Sequence, residues 1–242
     1  MPGSRATSFH RAADAYARAR PSYPPEAVAW MLPDAARRVA DVGAGTGKLS
    51  AVIAATGREV LAVDPDAGML RALEARHPGI RTLVGSAERL PLDDASVDAV
   101  VFGQAWHWVD PAAAAAEAAR VLRPGGALGL IWNIRDTRSG WPAELATLID
   151  PSDAEEFVAR GGPVLPAPFG ALETAEFAWE NPLTVDGLVD LVASRSATIG
   201  AEPDARADLL ARVRALGERS AGSDGALSLP YVTHVYRAAI PA

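Results

Sequence analysis

The run Val39-Ala40-Asp41-Val42-Gly43-Ala44-Gly45-Thr46-Gly47-Lys48-Leu49-Ser50 constrains the chain more tightly than any other stretch. A short apolar segment contains an acid near its end, three glycines follow at alternate positions, and an alanine-rich helical pattern begins. This order predicts a strand, a tight turn and a helix N-terminus in succession. Glycine tolerates positive φ and lets a ligand lie against the backbone. The first turn of a helix adds unpaired N–H groups and partial positive charge. A small polar ligand is therefore expected here, the alternative being an ordinary glycine-rich turn of an α/β protein. Two loop classes fit poorly. The dinucleotide pattern G-x-G-x-x-G, read from Gly43, needs glycine where Lys48 stands. The phosphate-binding G-x-x-x-x-G-K-[ST], read through Gly47-Lys48, needs glycine at Val42 and a hydroxyl at Leu49.

One strand later, Glu59-Val60-Leu61-Ala62-Val63-Asp64 again ends in an acid. A carboxylate accepts several hydrogen bonds, so Asp64, followed by Pro65, can hold both hydroxyls of a ribose. Asp66 fills the helix-cap role and leaves Asp64 to the ligand.

The pattern acidic-x-G-x-G-x-G resembles motif I of the class I S-adenosylmethionine (SAM) dependent methyltransferases. The resemblance implies that Gly43, Ala44, Gly45 and Gly47 lie against the methionine part of SAM, with Asp41 beneath, reaching its amino group. Leu83-Val84-Gly85-Ser86-Ala87-Glu88-Arg89-Leu90-Pro91 resembles the family's adenine loop G-[DS]-A-E-x-L-P. Ala87 and Glu88 would meet the adenine edge, Met69 would form part of a wall, and Ser86 stands where many members carry Asp. Phe102-Gly103-Gln104-Ala105-Trp106-His107-Trp108 resembles the Q-A-[FW]-H-W loop of the type 11 subgroup, which implies backbone contacts from Gln104 and Ala105 to SAM. Tyr16-Ala17-Arg18-Ala19-Arg20-Pro21-Ser22-Tyr23-Pro24 resembles that subgroup's N-terminal cap, with Tyr16, Arg20 and Tyr23 facing the site. The L-R-P-G-G turn at Leu122–Gly126 and the closing L-P-Y-x-T-x-V-Y-R-A extend the resemblance over essentially the whole chain.

His107 is the candidate general base, because an imidazole titrates near neutral pH; packing or hydrogen bonding is its alternative role. Trp106 and Trp108 alternate in the sequence, so an extended stretch would place both on one side, opposite His107, as pocket walls. Asn133 ends the fifth predicted strand as a further substrate-facing residue.

From Arg37 the chain alternates strands, near 37–42, 59–64, 80–84, 97–102 and 127–132, with helices near 47–56, 66–76 and 111–122. Regularity is lost from Asp136 to Pro168, a candidate lid. A strand at Leu172–Leu183, a helix capped by Thr184, a helix near Ala205–Ser220 and a closing strand near Leu227–Ala238 follow. The expected fold is α/β, the Rossmann-like class I methyltransferase fold. It has a seven-stranded, mostly parallel sheet with an antiparallel last strand and helices on both faces. One domain spans 1–242, divided into an N-terminal helical cap (1–35), a SAM-binding core (36–135), a lid or substrate insertion (136–170) and C-terminal hairpin strands and helices (171–242).

Composition narrows the chemistry. The 242 residues carry a net charge of −7, which disfavours a nucleic-acid or anionic-membrane surface. There is no cysteine, hence no disulfide or thiolate site, and no metal-ligand cluster is legible. No signal core or membrane span is seen, so a cytoplasmic monomer or homodimer is expected. The expected reaction is in-line methyl transfer from SAM to a small-molecule acceptor, giving S-adenosylhomocysteine (SAH). The alternatives are a non-catalytic SAM or nucleoside binder and a nicotinamide-dependent oxidoreductase.

Overall fold

A computed structural model describes residues 20–240, with no side-chain description at Ser196. These residues form two compact units. The larger comprises Ser22–Asn133, Phe157–Phe177 and the chain from Thr233 onward; the other comprises residues up to Pro21, Ile134–Glu156 and Ala178–Val232.

The strands are β1 (Arg38–Val42), β2 (Glu59–Asp64), β3 (Arg81–Val84), β4 (Val97–Gly103), β5 (Leu122–Arg135), β6 (Glu173–Thr184) and β7 (Ala226–Ala239). They make one seven-stranded sheet in the order β3-β2-β1-β4-β5-β7-β6. Pairs β1–β2, β1–β4, β2–β3 and β4–β5 are parallel. β7 runs against both neighbours. Ile240 N–H bonds the Gly126 carbonyl while Asp136 N–H bonds that of Pro230; Arg237 pairs with Glu173 while Ser228 bonds Glu180. The chain leaves β1 for β2 on one side and reaches β4 on the other, so the switch point lies between β1 and β4. Parallel sheets take ligands at the carboxyl ends beside such a point.

The first four strands read as near-continuous apolar runs because helices cover both faces. Helices α1 (Pro25–Met31), α2 (Lys48–Ala54), α3 (Ala67–Arg76) and α4 (Pro111–Val121) belong to this unit. Asp66 caps α3 by accepting from Gly68 and Met69, and Asp110 caps α4 by accepting from Ala112 and Ala113. The core packs Met31, Val39, Leu49, Ile53, Leu73, Val101 and Ile131 together. Each such side chain contributes about 1.5–3 kcal/mol by leaving water.

The second unit holds α5 (Gly140–Leu148), α7 (Val185–Ala193), α8 (Ser196–Ile199) and α9 (Pro203–Ser220) around Leu145, Leu188, Val213 and Leu216. Between α5 and α7 in the chain comes α6 (Asp153–Ala159). The expectation of irregular chain over 136–168 is therefore corrected. Two helices form there, and the second is held by a capping box in which Ser152 N–H donates to Glu155 and Glu155 N–H to Ser152 Oγ. β5 is also longer than expected, because the L-R-P-G-G segment pairs with β4 at Val97 before a register shift.

Candidate active site

The glycine turn folds onto the end of β2. Gly43 and Ala44 N–H groups donate to the Val63 carbonyl at 2.8 and 3.1 Å. Gly45 N–H donates to Asp64 Oδ2 at 2.8 Å, and Asp66 N–H donates to Asp64 Oδ1 at 2.8 Å. One carboxylate thus braces two loops. Each oxygen retains a lone pair, so the two acceptors that a ribose diol needs are available.

The three glycines differ in function. All have positive φ: +70° at Gly43, +53° at Gly45 and +87° at Gly47. A Cβ on Gly43 would lie 2.6 Å from that of Ala105, and one on Gly47 would lie 2.6 Å from Leu73 Cγ. These two allow close packing of the loop on the protein itself. A Cβ on Gly45 would meet nothing within 4 Å. Only Gly45 opens onto space that a ligand can fill, which refines the sequence expectation that all three lie against one.

Beneath the turn, Asp41 is 1% exposed. Its Oδ2 accepts from Ser50 Oγ at 2.5 Å, while Oδ1 has no partner. Burial, partly opposed by the Ser50 bond, pushes its carboxyl up to about 7. An orphaned buried carboxylate oxygen suits a cationic amino group, which would supply the missing donor and hold the group ionised. Asp41, Gly45 and Asp64 together fit SAM.

The remaining loops meet at the carboxyl ends of β3 and β4. Ser86 bridges to Arg89, Ala87 is buried, and Glu88 accepts from Asp110 N–H at 3.2 Å, which fastens the Ser86–Glu88 loop to the start of α4. Met69 sits half-buried in the first turn of α3, and Pro65 is exposed. Gln104 takes a left-handed φ of +54°, uncommon outside glycine, and its N–H bonds the Ile131 carbonyl at 2.9 Å. Such a conformation persists only where neighbours impose it. Tyr23 packs its hydroxyl on Gly103, where a Cβ would lie only 2.8 Å away.

Three substrate-facing expectations change. Trp106–Trp108 is one turn of 3-10 helix rather than an extended stretch, so the two indoles diverge. Trp106 is buried, edge-on to Phe102 at 4.9 Å, and serves the core, while Trp108 is 67% exposed. Asn133 is engaged by the protein: Nδ2 donates to the Ser22 carbonyl at 2.9 Å and Oδ1 accepts from Thr233 Oγ1 at 2.7 Å. It ties the segment before α1 to the end of β5. Tyr16 lies outside the described residues, and Arg20 falls in the smaller unit.

His107 sits in an aromatic cluster not anticipated from the sequence. Its ring lies 4.8 Å from Trp108, 5.9 Å from Phe157 and 6.4 Å from Trp132, with Tyr236 edge-on to Trp132 at 5.7 Å. Trp132 Nε1–H donates to His107 Nδ1 at 3.2 Å. Indole is a donor only, so Nδ1 must be the acceptor and a neutral His107 carries its proton on Nε2. The signal available in advance was Trp132 itself, since a buried indole N–H requires an acceptor.

Among the described residues no group of three or more His, Cys, Asp or Glu could hold a metal, and no helix is long and apolar enough to cross a membrane.

Comparison with known proteins agrees with this geometry. A methyltransferase-domain family matches residues 40–130. A methyltransferase of Mycobacterium tuberculosis, itself uncharacterized, is 52% identical over 236 residues, covering 96% of each chain. A ubiquinone/menaquinone biosynthesis C-methyltransferase of Rubrivivax gelatinosus is 44% identical over 103 residues, 41% of this chain and 40% of that one. A solved structure described as a type II methyltransferase of Anaeromyxobacter dehalogenans superposes with a TM-score of 0.71 at 28% identity, covering 92% of this chain and 99% of that one.

Proposed function

This chain belongs to the SAM-dependent methyltransferases, and from that premise we propose that it methylates a small-molecule acceptor, holding SAM with Asp41, Gly45 and Asp64. The observation that carries the reading is the brace at Asp64, whose two oxygens each take one backbone N–H and keep one acceptor position. SAM supplies an electrophilic methyl group on a sulfonium, which passes in line to a nucleophile. The chain's own work is positioning and exclusion of water. Asp64 fixes the ribose, Asp41 receives the amino group, and Ser86, Ala87, Glu88, Pro65 and Met69 surround the adenine. Gln104 and Ala105 present backbone toward the cofactor.

His107 is expected from sequence as the base; we assign it instead as a hydrogen-bond donor. With Nδ1 filled by Trp132, the nitrogen left to a substrate is the one already protonated. It orients an acceptor oxygen and does not remove its proton. Tyr23 and Trp108 complete the proposed acceptor contacts. The net charge of −7 supports a small acceptor over nucleic acid and accords with a cytoplasmic monomer or homodimer.

The test is incubation of the full chain with methyl-labelled SAM and either a low-molecular-weight cell extract or purified RNA, DNA and protein. The reading predicts label in the low-mass fraction with equimolar SAH. Label confined to a macromolecule would overturn the acceptor class, and reduction of a substrate by NADH without label transfer would restore the oxidoreductase alternative.

A further inference from the structure

Three guanidiniums gather around one carboxylate in the smaller unit. Arg135, the last residue of β5, makes a two-point bridge to Glu155 at 2.8 and 3.0 Å. Glu155 is held in turn by Ser152 N–H and Oγ at 2.7 and 2.9 Å. Arg195, between α7 and α8, reaches Glu155 at 3.9 Å and donates to the Asp150 carbonyl. Arg20 adds its charge to Arg195 and to the Tyr231 hydroxyl. Tyr231 is buried, its ring stacked on Trp179 at 5.3 Å. Burial, more than any neighbouring charge, pushes its hydroxyl up to about 12, so it is a neutral donor at any working pH.

The charges do not balance. Glu155 answers one guanidinium, and its oxygens are shared among Arg135, Arg195 and Ser152. Burial and the adjacent Arg135 both lower the pKa of Arg195, which shows cation crowding on cation. The Arg135 side chain is only 7% exposed, yet its Nη1 has no partner. A buried donor left unmade is costly, and a charged one more so. A network serving stability alone would pair its members one to one, as Arg120 does with Glu117 and Asp94. The geometry points to a binding site for an anionic oxygen group, carboxylate or phosphate, assembled by Arg135, Arg195, Arg20 and the Tyr231 hydroxyl. We infer that the methyl acceptor is an acid, an inference that rests on the small-molecule methyltransferase reading. Guanidinium presents a planar fork of donors that matches such groups.

The test is calorimetric titration of the full chain with succinate, inorganic phosphate and SAH at fixed ionic strength. Wild type, Arg135→Gln, Arg195→Gln and Glu155→Gln are compared. Wild type should bind succinate or phosphate at one site, and whichever probe binds identifies the anion as carboxylate or phosphate. Arg135→Gln and Arg195→Gln should weaken that probe roughly ten- to a hundredfold, the scale of a charged hydrogen bond. Glu155→Gln removes the competing carboxylate and should tighten the same probe, a gain that a purely structural bridge would not give and that holds even if an arginine variant fails to fold. Absence of binding of both probes to wild type, or unchanged affinity in the arginine variants, would overturn the site. An SAH affinity falling in parallel would give the cluster to the cofactor's own carboxylate and overturn the acceptor assignment. Probe binding without SAH binding to wild type would leave the anion site standing and remove the methyltransferase reading beneath it.

Discussion

The two units bury charge of opposite sign, and they do so by different construction. Around Gly43–Gly47 the buried charges are carboxylates, Asp41 and Asp64, nine and nineteen residues from the partners they bond, Ser50 and Gly45. Around Arg135 they are guanidiniums, and the interacting groups come from separate parts of the chain: Arg20, Glu155, Arg195 and Tyr231. The first arrangement uses backbone N–H groups at strand ends, which any member of the fold can supply. The second uses long side chains at the ends of several elements, which each sequence can change independently. A fixed cofactor and a variable acceptor call for this division of labour.

The sharpest way to break the comparison is at the glycines. Gly47→Val places a branched side chain at φ +87° against Leu73. It should cost about 2–5 kcal/mol by left-handed strain and overpacking, read as a fall in Tm. Gly45→Ala should leave Tm within a few degrees yet weaken SAH, because its Cβ enters open space. If both variants lost stability equally, the distinction between packing and cradling glycines would fail.

Asp41 provides a pH signature. Its folded-state pKa of about 7 lies above the ordinary 3.8. Between those values the folded protein holds a proton that the unfolded chain has released. Stability measured against Asp41→Asn should therefore fall as pH rises through this window, by about 1.4 kcal/mol per unit, and level off above about pH 7. Denaturant titrations of both proteins from pH 4 to 8 check it; a difference independent of pH would place the proton elsewhere. Smaller still, Asp64→Ala should weaken SAM by about 1.5–3 kcal/mol while leaving succinate or phosphate binding intact. Finally, His107→Ala should lower kcat by less than about tenfold and leave the shape of the pH–rate profile unchanged. A loss of about 10²–10⁴ with a vanished ionisation would restore the general base.

The same division explains what could be read in advance. The strands up to β5, the caps at Asp66, Asp110 and Thr184, and the roles of Asp41 and Asp64 depend on short spacings that the sequence carries openly. Trp106 and Trp108 were misplaced because a 3-10 turn replaces alternation, and nothing local announces that change. The aromatic cluster joins Phe157, Trp132 and Tyr236 from distant segments, so no spacing could reveal it. The helix at Asp153–Ala159 was legible in principle, since Ser152 and Glu155 spell a capping box. The surrounding glycines and prolines obscured it. Arg20 was singled out as a partner for a carboxylate, but Arg135 and Arg195 reach the same cluster only through tertiary structure.

The most direct test of the central claim is calorimetric titration of the wild-type chain and Asp64→Ala with SAM, SAH and NADH. The account predicts one-site, micromolar binding of SAM and SAH to wild type, weakened roughly ten- to a hundredfold in Asp64→Ala, and no binding of NADH. Equal affinity of SAH for both proteins, or binding of NADH alone, would contradict it.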